Sequence, residues 1–162
     1  MAKLLTAQPA DYKGRTVDLL LFDDAAAVGD VEVSQALISP GRNGAEITGI
    51  VKAVQRFMLE LCTIVGTMPY APKRGCRFMA DARSGYWRTP DDVNASFNAS
   101  MIAVKDNLIA DQTASDPPDE CFADATLTLV SINLDSVSIT IAYTSQAGTS
   151  RNIVYPLRTT YT

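Results

Sequence analysis

Apolar residues recur at three- and four-residue steps from Ile47 to Val65, through Ile50, Val51, Val54, Phe57, Met58, Leu61 and Cys62. That period belongs to one face of a long helix and predicts an element over 45–65. Lys52, Gln55, Arg56 and Glu60 fall off the stripe and are expected to lie outside it. Gly66 follows at once, where a left-handed residue commonly closes a helix. A helix with so broad a stripe must bury it, so the rest of the chain has to supply a surface to pack on.

The last third supplies one. In Ser136–Tyr143, Val137, Ile139, Ile141 and Tyr143 alternate with polar neighbours, the period of a half-buried strand. Ala123–Ile132 alternates more loosely, and Asn133-Leu134-Asp135 is the turn that makes the two a hairpin. A third run, Arg151–Arg158, puts Ile153, Tyr155 and Leu157 on one face. Pro156 lacks a ladder donor, which predicts an edge or a bulge for this run.

Between these regions the signals are local. Thr89, Pro90, Asp91 and Asp92 form an N-cap, a first-position proline and an acidic first turn, predicting a second helix to Ala110. Asp111–Glu120 breaks that helix, with Pro117-Pro118 as the stop. The run Gly66–Phe78 holds two prolines and two glycines and reads as a shaped loop with Tyr70 and Phe78 as packed anchors. Residues 79–88 are expected to continue as loop, with Tyr86 and Trp87 packed. Upstream, Thr16–Phe22 reads as a strand ending at an acidic turn, Asp23-Asp24. Asp30–Ile38 is a weaker strand, and Ser39–Gly44 is a loop by composition. The expected fold is α+β: two helices on a mainly antiparallel sheet, in the order β-β-α-α-β-β-β. Residues 1–15 form an extended arm and 16–162 a single domain.

Composition bounds function. The 162 residues suffice for one core without disulfides or a metal. Net charge is −4, against general nucleic-acid binding. The charge is uneven. Lys73, Arg74, Arg77, Arg83 and Arg88 crowd together, while Asp106–Asp135 holds seven acids and no base. Such asymmetry suits protein docking; two solvated loops are the competing reading. No apolar run is long enough to span a membrane, and none resembles a signal peptide. The place of synthesis and use is expected to be a cytoplasm, or a particle assembled there.

There is no histidine, so Ser-His-Asp and Cys-His nucleophilic systems are excluded. Cys62, Cys76 and Cys121 are odd in number and widely spaced, neither a disulfide framework nor a zinc site. No phosphate-cradling glycine motif occurs. Two carboxylates about 5–9.5 Å apart could hydrolyse a glycoside. Glu46 and Glu60 would lie about 21 Å apart along one helix. Asp91–Asp92, Asp119–Glu120 and Asp23–Asp24 each have a local structural explanation, and a tertiary pairing of distant acids stays open. No catalytic residue, cofactor or metal is expected.

One resemblance narrows the protein-docking reading. A helix leads into Gly66-x-x-Pro69-Tyr70-x-Pro72-x-x-Gly75. A second helix, an acidic proline loop and a hairpin with a third strand come after it. The arrangement resembles the contractile-tail baseplate proteins once called tail lysozymes and now understood as sheath initiators, found in phage tails and type VI secretion baseplates. Val17-Asp18-Leu19 and Gly29-Asp30-Val31 also resemble the leader of related tail proteins. The likeness spans roughly 16–157, but its specific part is the loop. It departs at Thr67, where the family has an acid, and at Pro117-Pro118-Asp119-Glu120, where a Glu-Pro-Arg triplet is common.

The resemblance implies a structural virion protein, assembled in the host cytoplasm. It implies six copies around the tail axis, in contact with tail sheath protein, tail tube protein and inner baseplate wedge proteins, and no nucleic acid or membrane. It implies that a sheet edge pairs with a sheath strand. Arg151, Ile153, Tyr155 and Leu157 are the candidate edge residues, with Ser136–Tyr143 beside them; an ordinary closing strand of the chain's own sheet is the alternative. Arg74 and Arg77 are candidates to reach acids on the tube or wedge, with solvated arginines as the alternative. Two other readings remain: a tube-end or head-completion adaptor without sheath contact, and a peptidoglycan glycosidase.

Overall fold

The computed structural model describes residues 18–19, 22–24, 32–36, 46–133 and 136–158. The expected arm over 1–15, the loop Ser39–Gly44, Gly29-Asp30-Val31, and Leu134 and Asp135 of the hairpin turn lie outside these residues. The fold is α+β. Among the described residues four short strands come first: β1 (Asp18–Leu19), β2 (Phe22–Asp24), β3 (Glu32–Ala36) and β4 (Glu46–Ile47). Three helices follow: α1 (Gly49–Cys62), α2 (Phe78–Arg83) and α3 (Pro90–Asp111). Three long strands come last among the described residues: β5 (Phe122–Asn133), β6 (Ser136–Ser145) and β7 (Ser150–Arg158).

The main sheet has the order β2-β3-β7-β6-β5, and β1 pairs with β4 apart from it. β5, β6 and β7 form an antiparallel meander, and β3 joins β7 in parallel at Glu32↔Ile153 and Val33↔Val154. Two sequence expectations change here. Asp23 and Asp24 are not a turn: they sit in β2, opposite Gln35 and Ser34. Nor is the β7 run a free edge, because β3 occupies its outer side at Ile153 and Val154.

Pro156 explains where that pairing stops. The β6 ladder runs unbroken across it, with Ser138 opposite Pro156. Its missing N–H therefore faces the β3 side. The parallel register cannot donate there, and β3 leaves β7 after Val154.

The core lies between the helices and this sheet. Val137, Ile139, Ile141 and Tyr143 of β6 are buried, as the alternation required. Phe57 of α1 packs on Phe122 and Tyr143, with ring centroids 6.1 and 5.6 Å away. Phe78 lies 4.5 Å from Trp87 and meets Phe97 of α3 edge-on.

α3 begins as its sequence demands. The Thr89 hydroxyl accepts from Asp92 N–H while the Asp92 carboxylate accepts from Thr89 N–H, a complete capping box. α1 is shorter than its stripe. Thr63 is extended, and Ile64 pairs with Cys76, so the chain leaves the helix before Gly66. Gly66 has φ +84°, but as a turn residue rather than a helix cap. Residues 78–83, expected as loop, form α2, one and a half turns too short to show a period. Its Asp81 accepts from Ser96 Oγ at 2.7 Å, tying α2 to α3.

The expected outer face of α1 is largely buried too. Lys52, Gln55 and Glu60 are 1, 2 and 4% exposed, and only Arg56 of the four stays out. Long polar side chains inside require partners, and those partners organise the candidate surface.

Candidate interaction surface

Glu60 is the hub of the loop between α1 and α2. One carboxylate oxygen accepts from Gly75 N–H at 2.7 Å and from the Asn107 amide on α3. The other meets the Arg74 guanidinium at 3.0 Å. Arg74 also pairs with Asp111 at the end of α3. The loop is thereby fastened to two helices through one buried acid.

Its backbone closes on itself as well. Cys76 N–H donates to Thr63 O at 2.9 Å, Val65 N–H to Cys76 O at 3.1 Å and Gly66 N–H to Pro72 O at 3.1 Å. Inner turns run from Thr67 N–H to Ile64 O, Ala71 N–H to Met68 O and Arg74 N–H to Ala71 O. Gly75 has φ +85°, and a Cβ there would sit 2.3 Å from Thr63 O. Only glycine fits so close to another backbone. The motif glycines and prolines thus shape a rigid loop.

The aromatic residues of this region divide. Phe78 and Trp87 are core, as expected, but Tyr70 and Tyr86 are exposed. Tyr70 is not a packed anchor: it is 102% exposed at the loop's outer bend, beside exposed Met68 and Pro69. Both candidate arginines are paired within the chain, Arg74 half-buried and Arg77 exposed. Arg74 is held by Glu60 and Asp111, and Arg77 makes a two-pronged contact with Asp81 one turn on. Burial pushes the Asp81 carboxyl up, but hydrogen bonds from Arg77 and Ser96 outweigh it and hold it below the usual carboxylate range.

A second buried acid ties the opposite end of α1. Glu120, after the double proline, lies 2.6 Å from the Lys52 ammonium and accepts from Gly49 N–H at 2.9 Å. Thr48 at the N-cap makes no side-chain cap bond, so Glu120 supplies the anion for that helix end from 71 residues away.

Glu60, Asp111 and Glu120 all line one cleft of about 490 Å³, with Arg56, Arg74 and Tyr143. This is the tertiary gathering of acids that adjacent sequence pairs do not offer. Glu60 and Glu120 are each engaged by a cation and a backbone N–H, which fits fastening better than proton transfer. Burial pushes the Cys62 thiol up to about 11 and also raises Cys76 and Cys121. Raised thiols are poor nucleophiles at neutral pH. Among the described residues no three His, Cys, Asp or Glu side chains are grouped to hold a metal ion. No described helix is long and apolar enough to cross a membrane.

The proposed edge residues of β7 separate by face. Ile153 and Leu157 are buried in the core and cannot meet a partner by side chain. Tyr155 and Arg151 are half-buried. Among the described residues the sheet ends at β5 on one side and at the short β2 on the other. The pairs of β5 with β6 shift between Phe122 and Asp124 and between Leu127 and Leu129. Thr128, Leu129, Ser131 and Asn133 are exposed, Leu129 by 62%. Sequence reasoning passes over β5 because its alternation looks like that of any hairpin strand; only the strand order shows which member is terminal.

No family model, curated protein or solved structure matches the chain.

Proposed function

We propose that the chain is a non-enzymatic structural protein of a contractile tail baseplate, which nucleates sheath assembly by offering a sheet edge to a sheath strand. The observation that carries this reading is β5, a 12-residue strand at the end of a five-stranded sheet, with no second neighbour among the described residues. An edge of this length presents backbone donors and acceptors in register, the requirement for strand addition. The Gly66–Gly75 loop supports the same reading through its likeness to the sheath initiators. Tail tube and inner wedge proteins are the further partners, in an assembly of six copies around the axis.

A tube-end adaptor without sheath contact is the second reading. The two register shifts in β5 favour it, because bulges at an edge discourage strand addition. Binding to a purified sheath protein separates the two. The initiator reading expects capture by the native chain and loss on Leu129→Lys, with circular dichroism unchanged. Failure of the folded native chain to bind moves the assignment to the adaptor.

A further inference from the structure

The geometry points to the Met68–Lys73 bend as a second docking element, a preformed knob that seats Tyr70 in an apolar, acid-rimmed pocket of another protein in the same particle. The inference rests on the baseplate reading for the source of that partner.

Single exposed apolar residues are ordinary on protein surfaces. This bend differs in two ways. Val65, Met68, Pro69 and Tyr70 are exposed together within six residues, and Tyr70 makes no burying contact at all. The backbone beneath them is nonetheless fixed by the turn hydrogen bonds, by Gly75 N–H on Glu60, and by the Asn107 amide on Lys73 O at 3.3 Å. A loop ordered in advance loses little entropy on binding, and tyrosine offers a large contact area with few rotatable bonds. Buried tyrosines are frequent energetic centres of interfaces.

Charge selects the partner. Between Leu61 and Ala80 the chain carries Lys73, Arg74 and Arg77 and no acid. Arg74 and Arg77 are compensated by Glu60, Asp111 and Asp81. Lys73 is exposed and makes no ion pair among the described residues. The tip therefore offers one aromatic ring, one thioether and one uncompensated cation, which an apolar pocket with an acid at its rim matches. A bilayer is a poorer match, because interfacial binding needs a broad apolar face or a polybasic patch.

The test replaces Tyr70 with a photoreactive phenylalanine analogue in the chain carried by assembled particles. The proposal expects a crosslink to one tail protein, mapped to an apolar pocket bearing Asp or Glu, and a several-fold lower yield with Lys73→Glu. Particles that contain the chain but give no crosslink at this position overturn the knob while leaving the β5 reading intact. So does a crosslink outside such a pocket, or one unaffected by Lys73→Glu. Flotation of the purified chain with phosphatidylcholine–phosphatidylserine vesicles, lost on Tyr70→Ala, would assign the tip to a membrane and overturn the proposal. Absence of the chain from the particles contradicts both readings.

Discussion

The Lys52 ammonium sits 2.6 Å from the Glu120 carboxylate, with both side chains almost wholly buried. Removing one partner breaks a close ion pair between two buried charges, which costs much more than breaking an exposed one. We expect Lys52→Met to lower unfolding free energy by about 3–5 kcal/mol. Lys52→Met with Glu120→Gln should recover most of that loss, because Gln keeps an acceptor for Gly49 N–H. Urea unfolding of the four proteins checks this, and equal losses in the single and double variants would refute it.

The two loop glycines should differ. Both have positive φ, but a Cβ at Gly66 meets nothing within 4 Å. Gly66→Ala should cost about 1–2 kcal/mol, the backbone penalty alone. Gly75→Ala adds the collision with Thr63 O and should cost more. The same titration measures both, and a smaller loss for Gly75→Ala would contradict the close backbone approach.

The α3 cap is separable from the core. Thr89→Ala removes the acceptor for Asp92 N–H and should cost about 1 kcal/mol. Thr89→Ser should be close to neutral. Denaturation midpoints of the two variants distinguish a capping role from a packing one.

Burial raises the Cys62 thiol to about 11 in the folded state, from an ordinary value near 9.0. In the unfolded chain the thiol ionises first, so the unfolded state binds fewer protons between those values. The Cys62 contribution to stability is thus complete below about pH 9 and is lost as pH rises toward 11. Cys62→Ala should flatten the alkaline decline in melting temperature relative to the native chain. Alkylation of Cys62 at pH 8 should be slow when folded and fast in urea.

Legibility from sequence tracks the range of the interactions. The α3 cap lies within four residues and is readable from Thr89-Pro90-Asp91-Asp92. The alternation of β6 is readable because both its faces are set locally. The ends of α1 are not, since Thr63–Val65 leaves the helix to pair with Cys76 and Glu120 reaches Gly49 from 71 residues away. The same distance hides the burial of Lys52 and Glu60, whose partners are remote in sequence. Sequence places the edge at the last strand, which holds among the described residues only beyond Val154, because strand order is tertiary and β3 covers Ile153 and Val154. Tyr70 looks like an anchor by residue type, yet turn geometry points it outward.

Hydrogen–deuterium exchange of the chain, with and without a contractile sheath protein, reads strand addition at β5 directly. Strand addition at the sheet edge should slow exchange in peptides covering Thr126–Asn133 of β5 and leave β7 unchanged. Binding that protects other segments but not β5, or no binding by the folded chain, would contradict it.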